Sequence, residues 1–259
     1  MADTSSASKP IDGSAHFPSS IAVLIPAWEP PDALVAVTRE LIGNGCSTIV
    51  VVDDGSAERQ VIFREITQAP QVTVLRHAKN AGKGSALKTG FGHLLVHHPN
   101  GAGVVTADAD GQHTSADIVR VARALAESGR FVLGTRNLQQ NMPLRSKLGN
   151  TLTRYAFRWL TRTCVSDTQT GLRGFPMAIL PELACLPGAR YEYEMTVLAY
   201  LCQSMRPPLE VPISTVYLDG NSSSHFDPVR DSVRIYTALL RVAQQKSQFA
   251  PTANEHAAY

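Results

Sequence analysis

The chain has 259 residues, 44% of them hydrophobic and 18% charged, with a net charge of +2. That length supports one large α/β domain with a proper core, and the near balance of charge excludes a broad nucleic-acid footprint. Cys46, Cys164, Cys185 and Cys202 are far apart and form no CxxC pair, which excludes a disulfide framework or zinc site and points to thiols in a reducing compartment.

Residues 1–20 are rich in Ser, Ala and Pro and lack an apolar core. They read as a disordered segment, neither a signal peptide nor a membrane span. No later stretch approaches the roughly 18 apolar residues that cross a bilayer, so a soluble or peripheral protein is expected. An apolar run at 21–25 ends at Pro26 and predicts a strand. Residues 32–41 have helical spacing and stop at Gly43-Asn44-Gly45. A β-branched run at 48–52 ends in Asp53-Asp54-Gly55-Ser56, followed by a helix-like stretch at 57–67 and a strand at 72–75. Helix 84–97, strand 103–107, helix 117–127 and a fifth strand at 130–133 continue the alternation. Short apolar strands alternating with amphipathic helices predict a mostly parallel central sheet with right-handed crossovers and helices on its flanks.

After about residue 140 the pattern changes. Residues 144–163 read as a long helix with a basic face. A loop then leads into Asp167-Thr168-Gln169-Thr170-Gly171-Leu172-Arg173-Gly174-Phe175, and Pro176 suits the first turn of a helix. A helix at 191–202, an extended segment at 209–217 and an amphipathic helix at 229–244 complete the pattern. The expected organisation is one domain over 21–220, with a nucleotide-binding half at 21–135 and an acceptor half at 136–220. An amphipathic region at 221–245 and a flexible tail at 246–259 follow.

Three predicted strands end in chemistry-bearing residues, at Pro26–Glu29, Asp53–Ser56 and Asp108–Gln112. The carboxyl ends of strands are where open α/β sheets bind ligands. Asp108 and Asp110 stand at i, i+2 after a buried strand and so share one side of the chain. Two like charges held together are costly unless a cation sits between them, so the pair predicts a divalent-metal site. A plain solvated turn is the bland alternative, because Asp110-Gly111 favours tight geometry. An EF-hand loop is excluded, because its twelfth position would be Val119 and not Glu. Asp53 or Asp54 after a strand suits a ribose or a base edge, or else caps the next helix.

Asn80-Ala81-Gly82-Lys83-Gly84-Ser85-Ala86 lacks P-loop spacing, yet a glycine-flanked lysine at a helix start suits a phosphate or a base. No GxGxxG follows any strand, which counts against a dehydrogenase. Arg154, Arg158 and Arg162 are spaced i, i+4, i+8 and share one helix face, with Arg145 and Lys147 before them. That face is either simply solvated or suited to anionic lipid headgroups.

Together and in this order, the segments resemble the family 2 glycosyltransferases of GT-A fold, and most of all their dolichol-phosphate mannosyltransferase group, which glycosylates polyprenyl phosphates. The matching pieces are Ile25-Pro26-Ala27-Trp28-Glu29, Val52-Asp53-Asp54-Gly55-Ser56, residues 80–86, residues 108–112, Gly134-Thr135-Arg136, residues 145–150 and residues 167–175. The opening Trp28-Glu29-Pro30-Pro31 departs from the more usual Tyr-Asn-Glu-Glu. The resemblance implies that Pro26, Ala27, Glu29 and Asp54 line a nucleoside pocket with Asp53 beside them, and that Lys83 also faces the nucleotide. Asp108, Asp110 and Gln112 would hold Mg²⁺ or Mn²⁺ on the donor diphosphate. Arg136, Arg145 and Ser146 would bind the acceptor phosphate or the transferring sugar. Asp167, Gln169 and Arg173 would lie on the acceptor-side loop.

The implied reaction is an inverting, metal-dependent transfer of sugar from a nucleotide sugar to a polyprenyl phosphate. A lipid phosphate is ionised at neutral pH and needs arginines for placement more than it needs a base. A sugar-hydroxyl acceptor would need a base, for which Glu192, Glu194 and Asp167 are candidates. A sugar nucleotidyltransferase and a silent binding subunit are the other readings. Many bacterial relatives carry C-terminal transmembrane helices. Without them, this chain is expected to work at the cytoplasmic membrane face, by direct surface binding or through a small membrane-protein partner.

Overall fold

Strand β1 (Ile21–Ala27) is buried along its whole length. Ile21, Val23, Ile25 and Ala27 face one apolar cluster, while Ala22 and Leu24 face a second. A strand covered on both faces needs apolar residues at every position, which is why the run shows no polar alternation. Each fully buried Leu or Ile of such a strand contributes about 1.5–3 kcal/mol. In this computed structural model the described residues are 16–136, 155, 157–214 and 237.

Strands β2 (Ile49–Asp53), β3 (Val72–Arg76) and β4 (Gly103–Thr106) run parallel to β1. Helices α1 (Ala33–Gly43), α2 (Gln60–Ile66) and α4 (Ser115–Ser128) cover the first face. Helix α3 (Lys83–His97) covers the second. That face also receives α5 (described at residues 155 and 157–161), α6 (Leu180–Cys185) and α7 (Glu192–Gln203). Strands β5 (Val132–Arg136), β6 (Arg173–Pro176) and β7 (Leu209–Ile213) complete a seven-stranded sheet of order β3-β2-β1-β4-β6-β5-β7. The expected class, an α/β fold with a mostly parallel sheet between helices, is the observed one.

Four differences from the sequence reading have physical causes. Residues 173–176 form a strand and not a loop into a helix. Strand β6 runs antiparallel between β4 and β5, pairing Thr106 with Arg173 and Gly103 with Pro176. Its four residues are too short to show a period and begin with a charge, so no pattern marks them. Pro176 closes that strand and precedes a 3₁₀ turn at Met177–Ile179. The fifth strand sits at 132–136, because Gly134 and Thr135 stay in the sheet, where Gly134 N–H donates to Leu172 O at 2.9 Å. Helix α2 starts only at Gln60, because the N–H groups of residues 57–59 are taken by the Glu29 carboxylate. Among the described residues, no helix is long and apolar enough to cross a membrane.

Candidate active site

The parallel strands deliver their carboxyl ends to one edge of the sheet. Pro26 and Ala27 end β1, Asp53 ends β2, and Arg136 ends β5. Asp108 lies just past β4. All four chemistry-bearing segments thus meet at the edge where α/β sheets bind ligands.

At the centre, Lys83 Nζ donates to Asp108 Oδ1 at 2.6 Å and to Glu194 Oε2 at 2.8 Å. The ammonium bridges the first residue of α3, the end of β4 and the first turn of α7. Burial works against its charge, but Asp108 and Glu194 overcome that and hold it firmly protonated. Burial likewise opposes ionisation of Asp108, and there Lys83 and His113 prevail, keeping the carboxyl well below the usual carboxylate range. His113 Nε2 lies 3.3 Å from Asp108 Oδ2. For Asp110 the balance reverses. Burial, then the neighbouring charge of Asp108, raises its carboxyl above the usual range. Its Oδ1 accepts from Gln112 N–H at 3.0 Å, which fixes the turn.

Glycines let the two halves close on each other here. A Cβ on Gly171 would lie 2.5 Å from both Asp108 carboxylate oxygens, so the loop before β6 rests directly on that carboxylate. At Gly84 a Cβ would lie 2.5 Å from Tyr193 Cβ, which brings the start of α3 against α7. Gly82 takes φ +101°, a conformation that favours glycine. The glycines around Lys83 therefore serve close packing of helix on helix.

Asp53 and Asp54, both buried, are occupied within the protein. The Asp54 carboxylate accepts from the N–H groups of Ala81 and Gly82 at 2.9 and 2.7 Å, and pairs with His77 Nδ1 at 2.7 Å. His77 Nε2 lies 2.9 Å from Thr89 Oγ1. Asp54 so ties the end of β2 to the loop that presents Lys83. Asp53 Oδ1 accepts from Ser56 N–H at 2.8 Å, and its Oδ2 lies 3.4 Å from Arg76 Nε. Glu29, at φ 45°, spans the N–H groups of Ala57, Glu58 and Arg59 at the start of α2. A carboxylate there also complements the helix dipole.

On the other side, Arg136 makes a two-pronged pair with Asp167, Nε to Oδ2 at 2.6 Å and Nη2 to Oδ1 at 3.0 Å. Asp167 is fully buried, so this is a fixed joint between β5 and the 167–173 loop. Gln169 is exposed. Arg173 is buried and donates to Thr170 O and Glu194 O, joining β6 to α7. Glu192 Oε1 accepts from the N–H groups of Ala189 and Arg190. Arg145 and Ser146 lie outside the described residues.

The structure brings together Pro26, Ala27, Glu29, Asp53, Asp54, Lys83, Asp108, Asp110, Gln112, Arg136 and Asp167 at one edge. Sequence reasoning passed over His113 and His77. The first could have been found as the residue directly after Asp108–Gln112. The second carries no local signal, because only the sheet brings it to Asp54. Among the described residues, no group of three or more His, Cys, Asp or Glu side chains is arranged to hold a metal ion alone. A cation on Asp108 and Asp110 would complete its shell from elsewhere. A cleft of about 300 Å³ lined by Ser19, Thr48, His98 and Met177 lies at the opposite edge and holds none of these residues.

Comparison with known proteins bears on this geometry. The family model described as glycosyl transferase family 2 matches residues 22–181. A UDP-N-acetylglucosamine–dolichyl-phosphate N-acetylglucosaminyltransferase of Methanococcus voltae is 31% identical over 247 residues, covering 87% of this chain and 97% of that protein. A dolichyl-phosphate β-glucosyltransferase of Dictyostelium discoideum is 28% identical over 214 residues, covering 75% of this chain and 62% of that one. Among solved structures, glucosyl-3-phosphoglycerate synthase of Mycobacterium tuberculosis, in complex with Mn²⁺, UDP and phosphoglyceric acid, superposes with a TM-score of 0.62 at 15% identity. That match covers 90% of this chain and 80% of the other and shows a shared GT-A fold.

Proposed function

The chain belongs to glycosyl transferase family 2, and from that premise we propose that it moves a sugar from a nucleotide-sugar donor onto the phosphate of a polyprenyl phosphate, in one inverting displacement. The observation that carries the acceptor is the engagement of all three carboxylates that sequence offers as a base. Glu194 is paired with Lys83, Asp167 with Arg136, and Glu192 with the backbone at 189–190. A hydroxyl acceptor needs a base of suitable pKa, whereas an ionised phosphate needs only placement by cations. The names of the two relatives, both dolichyl-phosphate glycosyltransferases, support the same acceptor class.

Asp108, Asp110 and Gln112 would hold Mg²⁺ or Mn²⁺. Two carboxylates completed by substrate phosphates are an ordinary donor set for such a cation. Burial, and then the charge of Asp108, raises the Asp110 carboxyl, which fits this, because a bound cation would favour the charged form of both. Bound there, the ion would offset charge on the departing nucleoside diphosphate. Pro26, Ala27 and Asp53 border the nucleoside pocket, and Glu29 and Asp54 shape it by holding loops 57–59 and 81–82. Lys83, held between Asp108 and Glu194, faces the nucleotide. Arg136, oriented by Asp167, together with Arg145 and Ser146, receives the acceptor phosphate or the transferring sugar. Because a polyprenyl acceptor resides in a bilayer, the enzyme works at a membrane surface, on the cytoplasmic face, directly or through a small membrane-protein partner.

The test offers the enzyme, with nucleotide sugar and Mn²⁺, a polyprenyl phosphate and the matching unphosphorylated polyprenol. Transfer to the phosphate alone is expected. Transfer to the alcohol at a comparable rate would show a working base and overturn the acceptor reading.

A further inference from the structure

Helix α5 presents two unlike sides. Phe157 is fully buried, Thr161 is buried, and Leu160 packs on the second cluster, anchoring the helix to the domain. The opposite side carries Tyr155, Arg158 and Trp159, spaced i, i+3, i+4 and therefore on one face, and Arg162 follows directly after the helix at φ 59° with its N–H on Arg158 O. Tyr155 is 67% exposed and Trp159 79%. Arg158 and Arg162 are exposed beside them. A helix face that is merely solvated has no need of a Trp, and large exposed aromatics grouped together mark contact surfaces.

In sequence, the charge on either side of this helix has one sign. The 39 residues from Ser128 to Ser166 contain seven Arg or Lys and no Asp or Glu, in a chain whose net charge is only +2. The same stretch includes β5, which ends in Arg136, and runs directly into Asp167, the partner of Arg136. Trp and Tyr combine an apolar body with a polar tip and settle at the level of lipid headgroups, where Arg pairs with phosphate. Basic residues close to an anionic leaflet each add to the attraction.

We propose that the outward face of α5, made by Tyr155, Arg158 and Trp159 and extended by Arg162 just past its end, docks on the anionic headgroup region of a bilayer and so brings the acceptor-side loop to the membrane. The surface rests on the reading that the acceptor is a membrane lipid, and it names the part of the protein that meets that lipid's bilayer.

Co-sedimentation of the full chain with vesicles tests this, using phosphatidylcholine alone and equal parts of phosphatidylcholine and phosphatidylglycerol. The variants are the double substitutions Tyr155→Ser with Trp159→Ser, and Arg158→Gln with Arg162→Gln. The wild type is expected to favour the anionic vesicles, and each variant to lose roughly tenfold in partitioning to them. Trp28→Phe leaves Trp159 as the one tryptophan, because the chain has two. Its emission is expected to shift to the blue on anionic vesicles. Partitioning equal to wild type in both variants would overturn the proposal, as would an unshifted Trp159 in vesicle-bound protein, which would mean that another surface docks. Transfer to detergent-dispersed polyprenyl phosphate separates the two readings. Both variants are expected to match wild type there. If the wild type transfers nothing to the dispersed lipid while the variants still lose vesicle binding, the acceptor reading fails and the docking surface stands.

Discussion

Lys83 shares one ammonium between two carboxylates on different elements, Asp108 and Glu194. Removing one member of a partly buried ion cluster leaves the others uncompensated, which costs up to about 3 kcal/mol. Lys83→Met is expected to lose that much at neutral pH. The sign follows from Asp108. Its folded-state carboxyl is depressed, so the pairing contributes above the unfolded carboxylate value of roughly 4 and is lost as pH falls through the folded value. Thermal unfolding of wild type and variant should therefore differ most near neutrality and converge in acid. A pH-independent difference would mean that Lys83 acts by packing alone. Asp110 carries the opposite sign. Its raised carboxyl means that the charged form is disfavoured in the folded protein, a cost that builds as pH rises above the unfolded carboxylate value of roughly 4 and is complete above the folded value. Asp110→Asn is expected to raise the metal-free Tm at neutral pH by roughly 2–4 °C, while abolishing both Mn²⁺ binding by calorimetry and sugar transfer. A lowered Tm with Mn²⁺ binding retained would contradict the metal assignment.

At the scale of elements, α4 begins immediately after the Asp108–Gln112 turn, so its cap helps to fix that turn. Thr114 Oγ1 accepts from Asp117 N–H at 3.1 Å and donates to Asp117 Oδ2 at 2.8 Å. Asp117 in turn receives Arg120 and the Ser214 N–H, tying α4 to β7. Thr114→Ala is expected to cost about 1 kcal/mol by denaturant unfolding. A cost near zero would mean that Arg120 and Ser214 alone set the helix start.

The main strands and helices were legible in sequence because period and burial agree. Residues 21–27 are apolar throughout, for both faces of β1 are covered. Strand β6 was not legible, since Arg173 is buried by contacts from Thr170 and Glu194 that no local pattern announces. The carboxylates were readable as a cluster at strand ends, but not in their individual tasks. Asp54 holds backbone N–H groups 27 and 28 residues away, and only the sheet order brings those together.

Over the whole molecule, the two sides of the sheet divide the work. Strands β1, β2 and β4 carry the donor-side carboxylates, and the antiparallel insertion of β6 brings the 167–173 loop onto Asp108. Lys83, Glu194 and Arg173 then lock that loop and α7 to the donor side. In the function proposed above, the Asp108–Gln112 edge takes the nucleotide sugar and the Arg136 side takes a second, anionic substrate. The sugar itself would not be encoded at such a metal, because a cation there would touch phosphates only. The direct test is a reaction of the enzyme with Mn²⁺, polyprenyl phosphate and a panel of nucleotide sugars, with products identified by mass spectrometry. A polyprenyl-phosphate-linked sugar is expected, with one nucleoside diphosphate released per glycolipid formed. Release of pyrophosphate with a new nucleotide sugar, or nucleoside diphosphate with no glycolipid from any donor, would contradict it.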